Sequence, residues 1–209
     1  MIRLIAGDSS AVVRAGIRSV LGSCPGLRVT GEASNGPDLL GLARGAVCDV
    51  ILIDIASAGN VWFDFVGQLR LARPLAAILI FTTLPETVYG IHALRAGAAG
   101  FLSKDCTADQ LIEAVQTVAS GRKYVSRRLA EKLAENLSGT GHGQPYETLS
   151  GRELQVLRML AAGRSVSQVA EEISLSVKTV STYRSRILEK TNLSNNAELM
   201  RYAFIQNLV

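Results

Sequence analysis

Cysteine is scarce in this chain, and the few residues stand far apart. There are three, Cys24, Cys48 and Cys106. No C-x-x-C pair occurs, so neither a disulfide framework nor a structural zinc site is predicted. A reducing compartment, the cytoplasm, is the expectation. Long apolar runs are missing too. "LAAILIF", Leu75 to Phe81, has the length of a buried strand, well short of the roughly 18 uninterrupted residues of a membrane span. The opening "MIRLIAGDSS" meets Asp8 early. Its apolar stretch is too short for a secretory signal, and none is predicted. Internal repeats and low-complexity tracts are absent, which excludes repeat arrays and fibrous folds.

What remains is the composition of an ordinary globular protein, 48% hydrophobic and 19% charged over 209 residues, enough for one or two domains. The net charge of +4 is unevenly spread. Residues 1–121 hold nine cations against ten acids, residues 122–149 five against three, and residues 150–209 eight against five. The basic excess lies toward the C-terminus and points weakly to a polyanionic partner there.

Residues 1–121 alternate between two patterns. Apolar runs of strand length occur at Ile2–Ala6, Arg28–Ala33, Val50–Asp54, Ala77–Thr82 and Gly100–Leu102. Helix-length segments with spaced Leu, Ala, Ile and Val lie between them: Ala11–Leu21, Pro37–Ala46, Val61–Leu71, Pro85–Arg95 and Thr107–Ala119. Nearly continuous apolar strands belong to a parallel sheet covered on both faces. The prediction is an α/β fold with a doubly wound, flavodoxin-like sheet of five strands in the order 2-1-3-4-5, with ligands beyond the carboxyl ends of the strands. A polar helix follows, near Ser126–Leu137, and then "SGTGHGQPYE", Ser138 to Glu147, which reads as a flexible linker. From Leu149 the pattern becomes all-helical. Ser150 and Glu153 have capping-box spacing, and further helices are expected near Ser167–Ile173, Val177–Lys190 and Asn195–Ile205. The expected division is a sheet domain at 1–121, a linker with a helix at 122–148 and a small all-α domain at 149–209.

The strand ends carry chemistry. Asp8 follows the first strand, Asp54 ends the third, Thr82 ends the fourth and Lys104 follows the fifth. Singly, each has an ordinary explanation as a loop, cap or solvated residue. Together, two carboxylates can hold a hard cation such as Mg²⁺. One carboxylate can attack phosphorus, while a hydroxyl and an ammonium bind phosphoryl oxygens.

With "VVRAGIRSVL" after Asp8, "DVILID" at Asp54 and "ALRAGAAGFLSKD" at Phe101 and Lys104, residues 1–121 resemble the receiver domains of two-component response regulators. The resemblance implies that Asp54 is the phosphoacceptor, with Thr82 and Lys104 beside it. It implies Mg²⁺ ligation by Asp8, Asp54 and the carbonyl of Ala56, and a switch pair in Thr82 and Phe101. It also implies a sensor histidine kinase as partner. The chain departs from the family at Gly7, where an acid is usual, and at Ser57-Ala58, where Met-Pro is usual. One fewer carboxylate predicts a weakened Mg²⁺ site.

In the C-terminal part, Val180, Tyr183 and Ile187 share one side of a helix. Lys178, Thr182, Ser185, Arg186 and Glu189 share the other, with Ser181 at its border. Short polar side chains with cations suit a helix in a major groove. "LSGRELQVLRMLAAGRSVSQVAEEISLSVKTVSTYRSRILEKTNL" resembles the LuxR-type helix-turn-helix, although Tyr183 replaces the commoner His. The candidate DNA-contacting residues are Lys178, Thr179, Ser181, Thr182, Ser185 and Arg186. The last helix resembles the one through which such domains pair, so a homodimer on double-stranded DNA is expected of the active form.

The whole then resembles a transcriptional response regulator of the NarL/FixJ type, controlled at Asp54 and not an enzyme. A degenerate receiver that binds DNA without phosphorylation is the alternative that Gly7 and Ser57-Ala58 favour. A phosphohydrolase with Asp54 as nucleophile would need further acids or bases, and neither His92 nor His142 joins the cluster.

Overall fold

The computed structural model describes residues 1–56, 62–138, 144–206 and 208–209. Ser57-Ala58 and His142 therefore lie outside the described residues. The chain forms two compact units, Met1–Ala134 and Glu135–Val209.

The first unit is built on strands β1 (Ile2–Gly7), β2 (Leu27–Ala33), β3 (Val50–Ile53), β4 (Ala77–Thr82) and β5 (Gly100–Ser103). They form one sheet in the order β2-β1-β3-β4-β5, and every pairing is parallel. The crossovers are α1 (Ala11–Gly22), α2 (Gly36–Gly45), α3 (Trp62–Ala72) and α4 (Glu86–Ala96), and α5 (Ala108–Ala119) follows β5. All four residues of β3 are buried, as a central strand between two helical layers requires. Helix starts are set by side chains. Ser10, Asn35 and Thr107 each accept a hydrogen bond from a first-turn amide, which satisfies one of the donors a helix start leaves unpaired.

The chain does not leave this unit at Gly121. Tyr124 forms a parallel bridge with Gly100: its amide donates to Ala99 O at 3.1 Å, and its carbonyl accepts from Phe101 N at 3.1 Å. A Cβ on Gly100 would lie 2.6 Å from Tyr124 O, so only glycine admits this approach. Helix α6 (Arg127–Ser138) then lays Leu129, 1% exposed, against Gly90 of α4. A Cβ at Gly90 would stand 2.8 Å from that leucine. Ser126 Oγ donates to Glu86, and Lys132 Nζ donates to Thr87 O at 3.3 Å. These contacts carry the first unit past the expected end at 121.

The second unit contains α7 (Gly151–Ala161), α8 (Val166–Glu172), α9 (Val177–Thr191) and α10 (Asn196–Ile205). Leu154, Leu157, Val169, Val180, Ile187, Leu199 and Ala203 form its interior. The predicted capping box is present: Glu153 N donates to Ser150 Oγ, and Ser150 N to Glu153 Oε2. The expectation of a flexible linker through Glu147 is corrected here. Pro145–Thr148 form a 3-10 turn, with Tyr146 and Glu147 buried and Tyr146 N donating to Tyr202 Oη at 3.2 Å. A polar composition hid an aromatic anchor.

Candidate functional site

The main-chain ladder carries one residue past the strands and fixes the rim. Asp8 N donates to Ala33 O at 3.1 Å, Asp54 N to Gly7 O at 2.9 Å and Lys104 N to Thr82 O at 3.0 Å. Residues from four strand ends therefore meet. Lys104 Nζ lies 2.6 Å from Asp54 Oδ2 and 2.6 Å from Asp8 Oδ2. Asp54 Oδ1 accepts from Thr82 Oγ1 at 2.7 Å and from Ala56 N at 2.9 Å. Asp8 Oδ1 accepts from Ser10 N at 2.8 Å. Asp8, Asp54 and Thr82 are buried, which is the cost that the answering charge and hydrogen bonds offset.

Burial alone would lower the Lys104 pKa. The hydrogen bonds and charges of Asp54 and Asp8 outweigh it and hold the ammonium above its ordinary value. Asp8 Oδ2 is buried, with the Lys104 ammonium at 2.6 Å as its partner. Two neighbouring carboxylates fit a hard cation, which would have to share them with that ammonium. No place among the described residues gathers three or more acid, histidine or cysteine side chains. Asp8 and Asp54 are the two carboxylates that the rim brings together.

Phe101 is 1% exposed, and its amide is the one bonded to Tyr124 O. Sequence reasoning missed Tyr124, Leu129 and Leu39. Leu39, on α2, packs on Gly7 where the absent acid would stand. The departure at Gly7 was the one signal pointing there.

In the second unit, α8, a short turn and α9 make the helix-turn-helix. The turn holds Ser174 at φ 53°, a left-handed residue that reverses the chain. Ser176 caps α9 by accepting from Thr179 N at 3.0 Å. Val180 and Ile187 are fully buried and Tyr183 is half-buried. Lys178, Ser181, Thr182, Ser185 and Arg186 are exposed together on the opposite side. Thr179 is half-buried, with Oγ1 2.7 Å from Ser176 Oγ. Thr182 Oγ1 donates to Lys178 O and Ser185 Oγ to Ser181 O, so both hydroxyls lie close to the helix backbone.

A parallel sheet with this acidic rim, followed by a capped helix-turn-helix, defines a response regulator with a DNA-binding output. Comparison with known proteins agrees. The response regulator receiver domain family matches residues 4–116, and the bacterial regulatory proteins of the luxR family match residues 147–203. The chain belongs to the two-component response regulators of this two-domain type, which are DNA-binding transcription regulators. It is similar to the response regulator GacA of Pseudomonas aeruginosa, 32% identical over 210 residues that cover 100% of this chain and 98% of that protein. It is also similar to the response regulator UvrY of Escherichia coli, 33% identical over 209 residues, covering 100% and 96%. Among solved structures, RcsB of Salmonella enterica serovar Typhimurium, bound to promoter rprA in the presence of the phosphomimetic BeF3-, has a TM-score of 0.75. At 22% identity over 96% of this chain and 97% of that one, it supports the fold alone. No helix among the described residues is long and apolar enough to cross a membrane.

Proposed function

We propose that Asp54 accepts a phosphoryl group from a sensor histidine kinase and that this modification governs DNA binding through α9. The observation that carries the reading is the convergence of Asp8, Asp54, Thr82 and Lys104 from four strand ends within hydrogen-bonding distance. One oxygen of Asp54 attacks phosphorus, and the bond from phosphorus to the kinase's histidine nitrogen breaks as that imidazole leaves. Lys104 and Thr82, now bonded to that carboxylate, transfer their donors to phosphoryl oxygens. Bound Mg²⁺ would neutralise charge on the phosphoryl group, held by Asp8, Asp54 and the Ala56 carbonyl, with affinity weakened by Gly7. Movement of Thr82 repacks Phe101, whose amide is tied to Tyr124 in the segment leading to α6. Phosphorylation then stabilises the DNA-competent arrangement more than the resting one.

On DNA, α9 lies in the major groove, with Lys178 and Arg186 on phosphates and Ser181, Thr182 and Ser185 toward base edges. Thr179 shapes the first turn through the Ser176 cap. The active form is a homodimer on half-sites about ten base pairs apart. Exposed Met200, Phe204 and Ile205 on α10 support pairing there. The protein acts in the cytoplasm as a regulator and not as an enzyme.

The test is phosphoryl incorporation from a small phosphodonor with Mg²⁺, read by intact mass. Wild type should be modified and Asp54→Ala should not. Incorporation that survives Asp54→Ala refutes the assignment. No incorporation in wild type favours phosphate-independent DNA binding instead.

A further inference from the structure

We propose that Gly7 and Leu39 act as a pair that sets the cation affinity of the acidic rim, with Leu39 filling the space that a side chain on residue 7 would need. The inference rests on the reading of Asp8 and Asp54 as cation ligands and identifies what limits them.

The main chain of Gly7 cannot retreat. It is held between Ala33 and Ile53 in register, and its carbonyl accepts from Asp54 N. A Cβ on Gly7 would lie 3.2 Å from Leu39 Cγ, 3.3 Å from Cδ1 and closer still to Cδ2. All three of these Leu39 carbons thus lie within 3.3 Å of that position, and the leucine must shift to admit a side chain there. Leu39 is 1% exposed, so such a shift means repacking a buried side chain. Behind it Phe65 of α3 fixes the start of α2: a Cβ on Gly36 would stand 3.3 Å from that ring. An apolar wall therefore faces the two acids. The cavity left between them is about 10 Å³ and is lined by Gly7, Asp8, Leu39, Asp54 and Phe65 among others. That is room for roughly one water where the side chains now stand.

Glycine at position 7 thus does more than omit a charge. The place the acid would use is filled with hydrocarbon, and the two remaining carboxylates already share the ammonium of Lys104. A divalent cation must compete with a charge built into the chain. Restoring an acid at residue 7 cannot by itself restore tight binding, because Leu39 excludes it. Shortening Leu39 alone adds no ligand. Only the two changes together complete the site.

The experiment is Mg²⁺ titration into the full chain by calorimetry, for wild type, Gly7→Asp, Leu39→Ala and the double variant. Folding is checked by Trp62 fluorescence. The double variant should bind at least about tenfold more tightly than wild type, since ligand charge count tunes affinity. Each single variant should stay within about threefold of wild type. Gly7→Asp gaining as much as the double variant, or no gain in the double variant, overturns the proposal. Adding Asp8→Asn separates the two levels: if Mg²⁺ affinity is then untouched, the cation reading of Asp8 fails, whatever Leu39 does. If Gly7→Asp does not fold, Gly7→Ala decides. Its loss of thermal stability should be smaller in a Leu39→Ala background than in the native one, and equal losses overturn the steric pairing.

Discussion

His92 on α4 offers a measurement whose size follows from burial. The residue is 1% exposed, and its Nδ1 has no hydrogen-bond partner among the described residues. Phe63 meets the imidazole edge-on, with ring centroids 6.0 Å apart. Burial, helped by the nearby charge of Arg95, lowers its pKa from 6.5 to about 4. The unfolded chain takes up this proton near pH 6.5 and the folded chain only near 4. Between those values the unfolded state binds more protons, so stability is complete above pH 6.5 and declines as pH falls toward 4. At about 1.4 kcal/mol per unit, the loss reaches about 3 kcal/mol. Trp62, the only tryptophan, reports on this unit alone: it is buried and stacks on Phe63 at 3.6 Å. Urea melts followed by its fluorescence, from about pH 7.5 down to about 4.5, give the slope. His92→Leu should flatten that slope. Equal slopes in both proteins, or a folded-state imidazole that titrates near its ordinary value by NMR, would refute the reasoning.

Three further outcomes are expected. Leu129→Ala should cost about 2–5 kcal/mol locally and speed hydrogen exchange across residues 122–134 while the central strands stay protected; unchanged exchange would mean that α6 is not held by this side chain. Burial raises the Glu153 pKa, but the hydrogen bonds from Lys190 and Ser150 outweigh it and hold the carboxyl below its usual 4.5. Its contribution is therefore present above that pH and lost as pH falls through the lowered value, and Glu153→Gln should cost about 1–3 kcal/mol in melts of the helical unit. Lys178→Ala should lower affinity on all DNA sequences and reduce the salt slope by about one, whereas Thr182→Ala should alter site preference more than non-specific affinity.

The sheet was legible because its signals are local. "VILI" is apolar at four consecutive positions, as a strand buried on both faces is. The topology then placed Asp8 and Asp54 on one rim, since the strands they follow are neighbours. Ser150 and Glu153 announced the start of α7 by their spacing alone. What stayed hidden depends on contacts between distant segments. Nothing in "RKYVS" says that Tyr124 will pair with β5, or that Gly90 is small in order to receive Leu129. Gly7 was visible as a departure, but Leu39, 32 positions away, could be tied to it only once α2 was packed on β1.

Tyr124 and Leu129 bear on how modular such a protein is. With Tyr124 bridged to the β5 edge and Leu129 set into α4, the piece that could be grafted onto a different output ends near residue 134. A fusion cut at 121 would bare that margin and remove the stretch of backbone that is hydrogen-bonded to Phe101, the residue proposed to move.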